Sequence, residues 1–376
     1  MLHSLLTPLL IVFAFHSSIS WAVDCANDDS GAKGASDMTI MKAINAANDP
    51  LSQAFQKLFP TQGTICPTCG ASAAMAAPKG AGDVQKIGNA LYAQPKIKKE
   101  CIVAALNRKI PANTDAYACA GKTPKTIDKN QCITDRGARY IEFALSQAMS
   151  CLSTPESPID PRTVLKKLNN ESGFNFFIAS EGGVGIGQLI SAPPKELAGW
   201  TTDKGKFNPG NARSYLEAIV SSQNPACAPF KDVIARDLKT PPAHSGRSAN
   251  YCNWVSPGDG VARNIIYSIT YFQYVREAYT KPALMEFLPG LIDNRELQDT
   301  ITLHAYNVGP SKLRALMRTL RLNSSSKPAD IKRALARESS YISAVEEKMG
   351  ELLDNAYSRR AKFTVSEQRG DTCVSQ

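Results

Sequence analysis

The stretch Pro158-Ile159-Asp160-Pro161-Arg162-Thr163-Val164-Leu165-Lys166-Lys167-Leu168-Asn169-Asn170-Glu171-Ser172-Gly173 decides the fold class. Asp160 has a side-chain oxygen able to accept the orphan N–H groups at a helix start. Pro161 follows at the first helical position, where its missing N–H costs nothing. Val164, Leu165 and Leu168 recur with helical period, and Gly173 supplies the residue type that closes helices. Glu171 falls seven and three positions after Val164 and Leu168, so its carboxyl shares their apolar face. It also sits in the last turn, at the negative end of the helix dipole. Burial and a nearby negative end both disfavour the carboxylate, so the pKa is expected to rise and leave an acid able to protonate a leaving oxygen. The plainer reading of the same spacing is a solvated glutamate at a helix edge.

Working outward, the same grammar recurs. Arg263 to Tyr279 reads as a strong helix, with Ile265, Ile269, Phe272 and Tyr279 near one face. Leu297 to Tyr306, Lys312 to Leu320 and Ile331 to Leu353 read as three more. Upstream, helices are expected around Met38 to Phe59, Ile97 to Leu106 and Arg136 to Leu152. Strand-like alternation is scarce. The chain is therefore expected to be mainly α, with a compact helical domain over 151–350, a cysteine-rich and helical region over 23–150 and a tail over 351–376. The stretch Gly70 to Gly82 is rich in small residues and reads as a linker or mobile loop.

Compartment follows from the first residues and the cysteines. Leu5 to Phe15 is apolar but too short to span a bilayer, and Ser20-Trp21-Ala22 places small residues where a signal peptidase reads. A cleaved signal peptide over 1–22 is expected, giving an exported chain without a stable membrane anchor. All ten cysteines, seven of them before residue 152, lie beyond that segment. An even count in an exported protein favours disulfides. The net charge of +9 would draw the chain to anionic polymers or surfaces. Its Lys and Arg clusters lack the interleaved aromatic residues that a base-stacking surface needs, so nucleic acid is not expected as a partner.

Asn170-Glu171-Ser172-Gly173-Phe174-Asn175 resembles the E-S-x-F-N segment of the soluble lytic transglycosylases, glycoside hydrolase family 23, which also holds goose-type lysozymes. Ser180 follows nine residues after the glutamate, as in that family. Gly183-Val184-Gly185-Ile186-Gly187-Gln188-Leu189 is similar to the family's G-A-x-G-L-M-Q loop. Asn264-Ile265 with Tyr271-Phe272 resembles its N-I…Y-L helix, and Ala305-Tyr306-Asn307-Val308-Gly309-Pro310 is similar to its A-Y-N-A-G-P segment. Glu338 to Val345, with Tyr341-Ile342 inside, resembles its closing E-x-x-x-Y-V. The motifs keep the family order. The Gly-rich loop is one residue shorter than the usual pattern, Phe176-Phe177 is bulkier, and the span from Leu189 to Arg263 is long, reading as an insertion near 190–262 that a Cys227–Cys252 disulfide would staple.

The resemblance implies a lysozyme-like fold and an enzyme of bacterial periplasm or extracellular space that acts on peptidoglycan glycan strands. Glu171 would protonate the oxygen linking N-acetylmuramic acid to N-acetylglucosamine, then act as base on the muramic 6-hydroxyl to close a 1,6-anhydro ring. It implies Ser180 and Gln188 as substrate contacts, Tyr306 as a contact to Glu171 or to the developing charge, and Tyr341 as a groove residue. Ser172, Asn307 and Gly309 would shape the local chain, and no cofactor is implied. A lysozyme-type hydrolase on normal or de-acetylated glycan stays open, as does a non-catalytic glycan-binding protein. Glu181 is a candidate second carboxylate for the hydrolytic route. Cys66-Pro67-Thr68-Cys69 has redox-type spacing, but no alternation of strands and helices surrounds it, so a structural disulfide role is preferred over an oxidoreductase. No Cys/His set has zinc spacing, and no metal site is expected. Of the two histidines beyond the signal segment, His244 and His304, the second is read as filling space in a helix.

Overall fold

The computed structural model describes residues 48–59, 96–106, 135–176, 179–180, 183–198, 212–244, 252–255, 258–323, 325–358 and 373–374. Among them the chain is mainly helical, with one two-residue antiparallel ladder. The expected signal segment, the small-residue stretch, Cys66, Cys69 and Glu181 lie outside the described residues.

Helix α4 (Pro161–Glu171) begins as its sequence dictates. Asp160 accepts the Arg162 N–H and Pro161 opens the first turn. The chain leaves it through Gly173, at a φ of 56°, a left-handed conformation that glycine adopts without a Cβ clash. Phe174 follows at a φ of 64° although it has a side chain, and its ring is fully buried. Packing holds this bulky residue in a conformation it would otherwise avoid.

The centre of the molecule is α9 (Asp259–Val275). Every residue from Gly260 to Val275 is buried, as expected of a helix covered on all sides. The helix expected over Arg263–Tyr279 is present but starts four residues earlier, at Asp259, and its expected last four residues fall in a π turn. It passes into a wide π turn over Arg276–Thr280 before α10 (Lys281–Phe287). Pro282 cannot donate the N–H that would continue the α ladder there. Arg276 fills the turn, bonded to Asp299, the Ser157 hydroxyl and the Pro158 carbonyl.

Around α9 pack α3 (Asp135–Leu152), α7 (Ala228–Lys239), α8 (Cys252–Val255), α5 (Ala192–Leu197) and α11 (Arg295–Val308). Helix α6 (Arg213–Ser221) lies on α7. The early helices α1 (Pro50–Leu58) and α2 (Lys99–Leu106) share this core. Phe55 meets Tyr140 edge to face at 5.2 Å, and one buried apolar cluster runs from Leu51 to Val374. The core thus continues across residue 150.

The C-terminal expectations divide. A helix α12 (Leu313–Thr319) is present. The single helix expected over Ile331–Leu353 is two, α13 (Pro328–Glu338) and α14 (Ser340–Ser358). Ser339 breaks the run: its backbone is extended and its hydroxyl accepts the Ile342 N–H at 3.3 Å, capping α14.

Two disulfides have both of their cysteines among the described residues. Cys101 pairs with Cys373, beside an isolated bridge between Ile97 and Val374, so the distal end of the chain closes onto α2. Cys227 pairs with Cys151, not with Cys252 as expected. The 3-10 turn Pro225–Cys227 packs against the end of α3, where the Asn224 amide also bonds the Ser150 carbonyl at 2.7 Å. The turn after α6 is therefore tied to the end of α3, and Cys252 is disulfide-bonded to another cysteine. Among the described residues, no helix is long and apolar enough to cross a membrane. Disulfides of this kind form in oxidising compartments.

Candidate active site

Glu171 ends α4 half-buried, with α14 alongside it. The Tyr341 hydroxyl donates to its Oε1 at 2.5 Å. Tyr341 is itself buried and belongs to a small cluster with Phe272, Leu303, Ile342 and Val345, packed against Tyr306. Further along the α4–α14 contact, Lys348 donates to the Asn170 carbonyl at 3.1 Å, and Asn169 donates to the Lys348 carbonyl at 3.0 Å. A cation thus sits at the helix end where carbonyls point outward. Outside this pair of bonds, Lys166 and Glu346 form an exposed ion pair.

Burial raises the Glu171 pKa above the ordinary carboxylate range. The charge of Lys167, the Tyr341 hydrogen bond and the charge of Lys348 oppose that rise without cancelling it. The carboxyl therefore holds its proton more strongly than an exposed glutamate, as the spacing along α4 led us to expect.

The loop from Gly183 to Leu189 lies over the end of α4, held by three helices. At the end of α4, its capping residue Ser172 donates to the Ile186 carbonyl at 2.8 Å. From α9, the Asn264 amide donates to the Val184 carbonyl at 2.9 Å, and its oxygen accepts the Gly187 N–H at 3.0 Å. From α11, the Tyr306 hydroxyl donates to the Gly187 carbonyl at 3.1 Å. Within the loop, Val184 and Leu189 exchange both backbone bonds at 3.1 Å. The glycines are required by this closeness: a Cβ on Gly185 or Gly187 would overlap Asn264 or Ser268 respectively. Gln188 takes a φ of 45°, and its side-chain amide donates to the Gly185 carbonyl at 2.9 Å. From the segment after α7, His244 Nε2 contacts the Leu189 carbonyl at 2.7 Å.

Glu171 and Tyr341 are in direct contact. The hydroxyl of Tyr306 contacts the Gly187 carbonyl, while its burial and the nearby Glu171 charge both raise its pKa. Tyr341, expected to line a groove, makes the contact to Glu171 that was anticipated for Tyr306. Ser172 and Gln188 brace the loop. Ser180 pairs through its backbone with Gly183 in the two-stranded ladder. Asn307 is exposed, and Gly309 closes α11 at a φ of 91°, its N–H on the Ala305 carbonyl.

Three groups carry more of the site than the sequence indicated. Lys167, 3% exposed, donates to the Ser268 hydroxyl at 2.6 Å and lies 4.0 Å from the centroid of the Tyr306 ring. Asn264 ties the loop to the core helix. His304, taken for a space-filling residue, contacts the Ser339 hydroxyl at 2.7 Å through Nδ1 and so anchors the cap that starts the Tyr341 helix. Its position one residue before Ala305-Tyr306 was the only hint. Among the described residues no group of His, Cys, Asp and Glu could hold a metal ion. No protein-family model, curated protein or solved structure matches the chain.

Proposed function

We propose that the protein is an exported peptidoglycan-cleaving enzyme of the bacterial periplasm or extracellular space. It cuts the β-1,4 bond between N-acetylmuramic acid and N-acetylglucosamine as a lytic transglycosylase, with Glu171 as its single acid/base. The observation that carries this reading is the half-buried Glu171 carboxyl at a helix end, hydrogen-bonded by Tyr341 and holding its proton above the ordinary range. The ordered set of sequence motifs supports it by resemblance.

In the first step Glu171 gives its proton to the glycosidic oxygen, and the bond to the muramic anomeric carbon breaks. The carboxylate left behind accepts the Tyr341 O–H, a donor fixed in place before reaction. In the second step the same carboxylate takes the proton of the muramic 6-hydroxyl as its oxygen closes on the anomeric carbon. The product is the 1,6-anhydro sugar, and Glu171 is again protonated. No second carboxylate nucleophile enters, in contrast to the two-carboxylate schemes. The strapped Gly183–Leu189 loop is bonded to Ser172, the residue after the acid.

The test is the mass of the soluble fragments released from purified peptidoglycan. Anhydro fragments are expected, each lighter by one water than its hydrolytic counterpart. Exclusively hydrolytic fragments would replace the transglycosylase with a lysozyme-type hydrolase.

A further inference from the structure

We propose that Lys167 is a positioning residue for the Glu171 acid: a buried ammonium, fixed one helical turn before the carboxyl, that steadies the negative charge Glu171 acquires when it gives up its proton. This inference rests on reading Glu171 as the acid/base.

The geometry carries the argument. Lys167 and Glu171 are four residues apart on α4 and therefore lie on the same face. Lys167 is 3% exposed, and its ammonium meets the Ser268 hydroxyl at 2.6 Å and the face of the Tyr306 ring. Among the described residues no carboxylate is in ion-pair contact with it. A lysine buried in this way is costly unless its charge is used. Its tethers come from α9 and α11, the helices that also hold the Gly183–Leu189 loop.

Burial lowers the Lys167 pKa from its ordinary value to about 8, and the Glu171 charge works in the opposite direction. Reciprocally, Lys167 is the leading opponent of burial at Glu171. The other groups facing the carboxyl are Tyr341 and Lys348 from α14 and Tyr306 from α11. The tyrosines are pushed well above their ordinary range and stay neutral, which leaves Lys167 and Lys348 as the facing cations. Burial alone would lock the proton onto Glu171. A fixed cation lets the carboxyl release it to the leaving oxygen and recover one from the 6-hydroxyl.

The experiment is a carboxyl and ammonium NMR titration of the oxidised protein labelled at glutamate and lysine side chains. Glu171 is assigned by its disappearance in Glu171→Gln, and Lys167 by its disappearance in Lys167→Met. In Lys167→Met the Glu171 midpoint should move to higher pH, while Lys167→Arg, which keeps the charge, should leave it near wild type. In Glu171→Gln the Lys167 midpoint should move to lower pH, since coupling between two sites is reciprocal. An unmoved or lowered Glu171 midpoint in Lys167→Met overturns the proposal. So does an unmoved Lys167 midpoint in Glu171→Gln, the arm that decides if Lys167→Met fails to fold. In wild-type protein the alkaline limb of glycan cleavage reports Glu171 and should move up in Lys167→Met. If wild type releases no glycan, the functional reading falls while the titrations still decide the coupling.

Discussion

At the scale of single residues, the site is a set of protons and charges held where water would not leave them. Lys167 makes the point in stability terms. A lysine whose pKa falls from 10.5 to about 8 on folding opposes the folded state below that value, by about 3 kcal/mol. The sign follows from the direction of the shift: the cost is full below about pH 8 and fades as pH rises to the unfolded value, where both states are neutral. Lys167→Met is therefore expected to melt several degrees above wild type at pH 7, with the gap closing toward pH 10.5; thermal melts across that range check it. A variant that gains stability while its activity changes would mark Lys167 as kept for function. Tyr341→Phe removes the donor that stabilises the Glu171 carboxylate. Its kcat on peptidoglycan should fall roughly ten-fold, as expected for loss of one hydrogen bond to a charged group. The alkaline limb of its pH profile should move up, because the lost bond was lowering the Glu171 pKa. Glu171 was legible in the sequence because helix period places a residue on a face. Lys167 was not, although it lies on the same helix, because its meaning depends on Ser268 and Tyr306, which are remote in sequence and brought near only by packing.

At the scale of elements, the loop Gly183–Leu189 and the cap at Ser339 position those residues. The loop is bonded to α4, α9 and α11 at once, and its glycines lie against Asn264 and Ser268. Gly187→Ala would drive a methyl group into Ser268, the tether of Lys167. Overpacking of this kind costs about 1–3 kcal/mol. We expect a lower melting temperature and a loss of peptidoglycan cleavage at least ten-fold larger than that of an exposed control such as Lys312→Ala, measured on the same substrate. Element type was readable from local pattern: α3, α4, α11 and α12 fall where periodicity and caps placed them. The split between α13 and α14 was missed because apolar period runs through Ser339. Only the His304 side chain, from another helix, shows that its hydroxyl is used as a cap.

At the scale of the whole molecule, one buried cluster joins the early helices, the central α9 and the distal end of the chain. The Cys151–Cys227 disulfide spans 76 residues and links the turn before α7 to α3. In the loop-entropy account a crosslink of that span stabilises by about 4 kcal/mol. Cys151→Ala with Cys227→Ala should therefore lower the unfolding free energy by an amount of that order, read from denaturant melts of the two oxidised proteins. The pairing itself was hidden from the sequence. Cysteine spacing says that disulfides form, whereas the choice of partner is made by tertiary packing, here by the turn at Pro225–Cys227 seating on the end of α3. For the same reason the sequence suggested a boundary near residue 150 where the core is continuous.

The account stands on one proton carried by Glu171. The most direct measurement is release of soluble glycan from purified peptidoglycan by wild type and by Glu171→Gln, both shown to be folded and oxidised. Wild type should release fragments, and the variant should fall by three orders of magnitude or more, as expected when the sole acid/base is removed (roughly 4 kcal/mol or more of barrier). Equal release by the two proteins, or none by wild type, would contradict it.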